Sequence, residues 1–301
     1  MATVRGVVLV TGAAGFIGQA LCKRLLDAGV AVRAVVRAGG TRISEELAER
    51  FDSIIEVEDL AGGLEPRVLR GITGVVHLAG RAVSPAPGPA GRDRLFRDNL
   101  DAAVALARSV ERAGGVERFI FLSTIKVNGE GVMAPVQHPP YSAMDPPRPQ
   151  GAYAVSKWRA EQELEKIFAA AGTRLVIIRP PLVLGKTVGG NLVGLGKWLE
   201  WGLPLPIAVP ENRRSLISRE TLVEFVADCL SKPLPDEKVL LVKEQKDWST
   251  AELARFLASG RRPRFLRMPG TLLRLLLSVS GKPELYRKLY GSLLIEGRSR
   301  I

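Results

Sequence analysis

The sequence predicts a doubly wound α/β fold, a parallel (Rossmann) sheet with helices on both faces, followed by a smaller, mostly helical C-terminal part. Three observations predict it. Short β-branched runs alternate with longer helical patterns over the first two-thirds of the chain. The runs are apolar on both faces, as buried parallel strands must be. The first of them enters a glycine-rich turn that opens a helix.

Taken in order, Val7–Val10 reads as the first strand and Phe16–Ala28 as the first helix. Ala31–Val36, Ile54–Val57, Gly74–Leu78, Arg118–Leu122 and Arg174–Ile178 read as further strands. Arg92–Ala113 and Ala152–Ala171 carry the apolar spacing of helices, and right-handed crossovers join the strands. Ser84–Gly91 and Met133–Gln150 are too Pro-rich for regular structure and are expected as long binding or lid loops. After Pro180-Pro181 the pattern loosens. Ser249-Thr250-Ala251-Glu252 is a capping box, and Thr271–Ser280 is an apolar helical stretch. We expect residues 1–180 to form a dinucleotide-binding domain, with 212–245 returning to it. Residues 181–211 and 246–301 are expected to form a substrate domain.

Composition narrows the class. The chain has 301 residues, 46% hydrophobic and 25% charged, in the range of globular proteins. A chain this long buries roughly 75% of its unfolded surface. No stretch supplies the ~20 apolar residues of a membrane span, and the opening MATVRGVVLVTG does not read as a signal peptide. Two distant cysteines, Cys22 and Cys229, fit a reducing cytoplasm. The net charge is +12, of which +8 falls between Arg261 and Ile301, where ten basic residues meet two acidic ones. No aromatic-basic motif accompanies this charge, so no nucleic-acid partner is expected. Two histidines and no Cys/His cluster leave no usual metal site. His77 reads as a packed core residue and His138 as a loop residue. The absence of a G-x-S-x-G elbow and of a P-loop argues against hydrolase and phosphotransferase chemistry.

Two motifs carry chemistry. In Gly12-x-x-Gly15-x-x-Gly18, the first glycine permits a tight turn, the second lets backbone approach a pyrophosphate, and the third lets helix pack on strand. The helix N-terminus, with Phe16 and Ile17, then offers free N–H groups to the phosphates. In Tyr153-Ala-Val-Ser-Lys157, phenol and ammonium lie on one helix face. A Tyr acting as acid/base near neutrality needs its pKa lowered by roughly 3 units, or ~4 kcal/mol. A neighbouring Lys and a cationic nicotinamide supply that shift.

In this order and spacing the motifs resemble an extended short-chain dehydrogenase/reductase of the nucleotide-sugar epimerase, reductase and dehydratase type. The resemblance runs from about Val7 to about Ile295. It is carried by TGAAGFIG, Glu58-Asp59-Leu60, VVHLAG, Asn99, FIFLSTIKVNGE, YAVSK, IRPPLVLG, GGN and NRRS. It implies Thr124, Tyr153 and Lys157 as the catalytic trio. It implies Asp59 and Leu60 at the adenine, Leu78, Ala79 and Gly80 along the cofactor trough, Asn99 supporting the site, and Pro180 at the nicotinamide. On the substrate side it implies Lys126, Asn128, Asn191, and Arg213 or Arg214 on a diphosphate.

Departures refine the reading. Asn128 replaces the family's usual aromatic after the catalytic Ser/Thr, and Ser218 stands in place of a common His. Ile125-Lys126 replaces the Asp-Glu of sugar 4,6-dehydratases, which argues against elimination chemistry. The chain stops at Arg300-Ile301, where a Leu-Gly-Trp-like stretch would begin, so a short or truncated C-terminus is expected. About 20 residues past the third glycine, an NAD site presents Asp or Glu to the ribose 2′-OH. Here Arg37 stands there, with Arg33 on the same side of the strand and Arg42 beyond. NADP(H) is therefore expected to be favoured over NAD(H). The expected reaction is reduction of a 4-keto nucleoside-diphosphate sugar, a UDP-N-acetyl sugar of polysaccharide biosynthesis. The alternatives are a UDP-sugar 4-epimerase with tightly bound NAD and, outside catalysis, an NAD(P)-binding sensor or scaffold. A homodimer is the expected assembly.

Overall fold

The computed structural model describes residues 6–83, 86–133, 139–185, 199, 201–202, 204–205, 212–258, 263–266, 268–280 and 283–301. The chain begins with β1 (Val7–Thr11), α1 (Phe16–Asp27), β2 (Ala31–Arg37), α2 (Glu45–Ala48), β3 (Ser53–Val57) and β4 (Ile72–His77). There follow α3 (Gly88–Phe96), α4 (Ala102–Ala113), β5 (Arg118–Leu122), β6 (Val132–Met133), α5 (Gly151–Phe168), β7 (Arg174–Arg179) and β8 (Leu182–Leu184). The last part holds β9 (Arg214–Ser218), α6 (Arg219–Ser231), β10 (Val239–Leu241), β11 (Asp247–Trp248), α7 (Thr250–Leu257), α8 (Gly270–Val279), α9 (Pro283–Tyr290) and β12 (Gly291–Ser292).

Seven of these strands form one parallel sheet in the order β3-β2-β1-β4-β5-β7-β10. β2 and β3 lie on one side of β1, and β4, β5, β7 and β10 lie on the other. The order therefore reverses between β1 and β4, and a crevice opens at the carboxyl ends of those two strands. One face of the sheet is covered by α1 and α6, through Leu21, Cys22, Leu25, Leu222, Phe225 and Val226. The other is covered by α4 and α5, through Leu106, Val110, Leu164 and Phe168. Burying each such side chain contributes roughly 1.5–3 kcal/mol. Burial holds both free thiols, Cys22 and Cys229, up at about 12, so they sit in the core as inert apolar groups.

Two expectations are corrected. The helix expected over Arg92–Ala113 is two helices joined by a π turn at Arg97–Asp101, which carries Asp98 and Asn99. Helix α3 also begins at Gly88, inside the segment expected to be a loop. Pro89 lies in its first turn, where the missing N–H has no helical partner to lose. The capping box is present: Ser249 N donates to Glu252 at 2.8 Å and Glu252 N donates to Ser249 Oγ at 3.1 Å.

The C-terminal residues return to the site. Strand β12 pairs antiparallel with β6, Leu293 bridges Arg214, and Tyr141 bridges Ile295. The segment after the fifth strand is therefore clamped between sheet and tail, with Ile125, Leu241 and Ile295 forming a small core of their own.

Candidate active site

The glycine cradle is built by close backbone approach. Gly12 has φ +69, and a Cβ there would lie 2.8 Å from Ala79 N. The turn after β1 thus packs directly on Leu78-Ala79 after β4. A Cβ at Gly18 would strike Gly12 O and lie 2.9 Å from Ala13 Cα. Gly15 caps α1 with no side-chain hydrogen bond and no acidic residue in the first turn, so the N–H groups there are open to an anion. Phe16 contributes backbone alone. Its ring lies under the Arg219 guanidinium, 5.1 Å away. Gly80 extends the trough: a Cβ there would lie 2.8 Å from Asn99 Oδ1 and 3.2 Å from Lys157 Nζ. Asn99 fixes the next residue, accepting from Arg81 N at 2.8 Å and donating to Arg81 O at 2.9 Å. These residues fit the diphosphate of a dinucleotide. They leave its path free of Cβ atoms and line it with donors.

At the floor of the crevice Tyr153 hydrogen-bonds Thr124, and Lys157 lies one helical turn on. Burial raises the Tyr153 pKa above its ordinary value, and the Thr124 bond opposes this in part. Lys157 donates to Leu122 O at 2.9 Å and lies 4.5 Å over the Phe121 ring. Burial lowers its pKa to about 8, opposed by Glu161. In the protein alone burial outweighs what lowers the phenol, and Lys157 is itself desolvated with its ammonium donating to a carbonyl. Beneath lies His77, fully buried, with Nδ1 2.7 Å from Thr11 Oγ1 and burial holding its pKa at about 3.

A buried ionic network supports this floor. The Arg179 guanidinium donates to both Glu161 oxygens, through Nε at 3.0 Å and through Nη2, and to Asn128 Oδ1 at 2.9 Å. Ser123 Oγ donates to the same Glu161. Arg179 ends β7 and Glu161 stands on α5, so the network joins strand, helix and the segment carrying Thr124.

The cofactor end is cationic. Buried Asp98 accepts from Arg37 at 3.2 Å, Arg81 at 2.8 Å and Arg94 at 3.0 Å. Asp98 is 2% exposed and the arginines 48, 32 and 40%, so the charge facing solvent is positive. Arg33 instead turns to Asp52 and the carbonyls of Val68 and Arg70. Asp59 accepts from Ala61 N at 2.9 Å and from Arg97, and Leu60 beside it is buried.

Comparison with known proteins agrees with this geometry. A model of the NAD dependent epimerase/dehydratase family matches residues 8–194. The chain belongs to that family. It is 33% identical over 296 residues to a UDP-glucose 4-epimerase of Vibrio cholerae, covering 96% of this chain and 87% of the relative. It is 32% identical over 204 residues to a dihydroflavonol 4-reductase of Zea mays, covering 64% of this chain and 56% of that one. The fold matches the crystal structure of a UDP-glucuronic acid 4-epimerase from Bacillus cereus in complex with NAD. The TM-score is 0.72 at 24% identity, over 87% of each chain.

In this epimerase/dehydratase family member the expected residues separate into two groups. Gly12, Gly15, Gly18, Leu78, Ala79, Gly80, Asn99, Thr124, Tyr153 and Lys157 gather at the crevice. Pro180 meets it through its carbonyl, which accepts from Ile125 N at 3.0 Å. Asn128 is fully buried, and its amide is engaged at both ends, by Arg179 and by Ser142 O, so it braces the loop. Arg213 points outward to Glu252 at 3.0 Å, whereas Arg214 turns inward, donating to the carbonyls of Gly291 and Arg287. Burial lowers Arg214 to about 10, and Glu130, in the loop after Thr124, opposes this. Glu130 also pairs with Lys126 at 2.9 Å. Asn191 and His138 lie outside the described residues.

Sequence reasoning missed Glu161, Arg179, Ser123 and Asp98. Glu161 was signalled by its position four residues after Lys157, on the face that Ala160, Leu164 and Phe168 bury. Tyr141 was missed as well. Its ring packs on Gly129, where a Cβ would lie 3.0 Å from Cζ, so an aromatic reaches the loop although Asn128 is not one. Among the described residues no three His, Cys, Asp or Glu could hold a metal, and no helix is long and apolar enough to cross a membrane.

Proposed function

We propose that the protein is an NAD(P)-dependent oxidoreductase that reduces the 4-keto group of a nucleoside-diphosphate sugar, a UDP-N-acetyl sugar, with NADP(H) preferred. The observation that carries this reading is Arg37 at the end of β2, one of three arginines around buried Asp98. A guanidinium pairs with a 2′-phosphate where a carboxylate would repel it. A phenol held above its ordinary pKa is a proton donor at neutral pH, the form that reduction of a carbonyl consumes.

The dinucleotide, when bound, supplies the hydride. Tyr153 Oη gives its proton to the keto oxygen as that oxygen gains charge, and Thr124 hydrogen-bonds the same oxygen. Lys157, held by Leu122 O, carries the positive charge that stabilises the phenolate left behind. Arg214 is the guanidinium placed for the diphosphate, being the one turned toward the catalytic loop. Gly15 and the uncapped start of α1 take the pyrophosphate of the cofactor.

Two outcomes follow from these groups. Arg37→Asp is expected to weaken NADPH by about 10²-fold, from a lost charged contact of ~1.5–3 kcal/mol plus repulsion, and to leave NADH within a few-fold. Competitive titration of the two cofactors reads this; tighter NADH binding in the native protein, unmoved by Arg37→Asp, would contradict it. Secondly, kcat/KM for reduction should be flat below about pH 8 and fall above it, as Lys157 loses its proton. The same group links pH to stability. Its folded pKa lies below the ~10.4 of a free lysine, so between these values the unfolded chain binds more protons and this group's contribution to stability rises with pH. A profile rising above pH 8 would remove the lysine charge from the mechanism.

The 33% identity to a UDP-glucose 4-epimerase favours a second reading, in which NAD stays bound and the sugar is oxidised and re-reduced at C4. Mass spectrometry of small molecules released on denaturation separates the two. Retained NAD supports the epimerase, and an empty site that takes up NADPH supports the reductase.

A further inference from the structure

Helix α8 is built like a core helix but lies at the surface. Of its residues only Leu273 is buried. Leu272, Leu275, Leu276 and Val279 are 46, 61, 49 and 81% exposed. They stand at i, i+3, i+4 and i+7, which sets them in a single stripe. Helix α9 packs against α8, yet the stripe stays open. Phe256 and Leu266 add two more large exposed apolar side chains in this part of the chain. Soluble monomers rarely leave such a stripe in water without a partner for it.

Charge identifies the partner. The segment from Arg261 to Ile301 carries ten basic and two acidic residues. A second copy seated on the stripe would set Arg274 of α8 and Arg287 of the adjoining α9 near their counterparts, with like charges opposed. An anionic lipid surface satisfies both features at once. Apolar side chains enter the headgroup–acyl boundary by ~5–10 Å, while each Lys or Arg near the surface adds about 1 kcal/mol. We propose that α8 seats the protein on an anionic bilayer, lying in the interface plane with Leu272, Leu275, Leu276 and Val279 downward. The inference does not depend on which sugar the active site takes.

The test is co-sedimentation of the full protein with vesicles of phosphatidylglycerol and phosphatidylethanolamine, against phosphatidylcholine alone. Pelleting with the anionic vesicles is expected, at least tenfold weaker on phosphatidylcholine and in high salt. The exposed-site variant Leu275→Glu/Val279→Glu should abolish pelleting while thermal unfolding and turnover stay as in the native chain. Failure to pellet with anionic vesicles, or pelleting that survives the double variant, would overturn the proposal. So would a dimer that the double variant dissociates, since the stripe would then belong to a second copy.

Discussion

Tyr153→Phe is expected to lower kcat by at least ~10²-fold, within the ~10²–10⁴ range of positioned acid–base groups, with nucleotide-sugar affinity almost unchanged. The substitution removes one oxygen, the atom that bonds Thr124 and is proposed to protonate the keto oxygen. The ring still fills its place on α5, so binding and fold have no reason to change. Steady-state kinetics gives the first quantity and calorimetry with the UDP-sugar product the second. The roles of the neighbours sharpen the expectation. Lys157 gives one of its three ammonium N–H groups to Leu122 O, which fixes the charge over the Phe121 ring. Turnover near that of the native protein would remove Tyr153 from the chemistry.

Glu161→Ala should cost about 3–5 kcal/mol of stability, since it strands a buried guanidinium without its counter-ion. Arg179 and Glu161 have side chains 5 and 4% exposed. The double variant Glu161→Leu/Arg179→Met should recover most of the loss, because the pair's gain is largely offset by its own desolvation. Urea unfolding of the three variants decides this. A single-variant loss under ~1 kcal/mol would mean that the network is solvated. The same substitution removes the carboxylate that holds up the Lys157 pKa, so the alkaline limb of the pH profile should move below pH 8.

These two residues mark the border of what the sequence made legible. The sheet, the glycine turn and the Tyr153–Lys157 face were legible because each rests on local spacing: period two, close glycines, and i, i+4. The Tyr153 contact with Thr124 was reached through resemblance, since the two residues are brought together where α5 packs on the turn after β5. The Arg179–Glu161 pair is a tertiary contact between a strand end and a helix, and no local pattern specifies it. Asp98 was hidden for a related reason. It sits on a π turn within a stretch whose apolar spacing reads as continuous helix, and its three arginines come from three separate segments. The bracing of the loop by Asn128 was hidden in the same way, because its partners Arg179 and Ser142 are supplied by the fold.

The measurement that bears most directly on the central claim is a single-turnover experiment. The purified protein loaded with NADPH deuterated at the transferable position is mixed with a UDP-4-keto-N-acetyl sugar, and reduced nicotinamide absorbance is followed. The account predicts loss of one equivalent of NADPH per site, with the deuterium recovered at C4 of the product. Unchanged absorbance, together with inversion at C4 of a UDP-sugar by NAD already held in the protein, would contradict it.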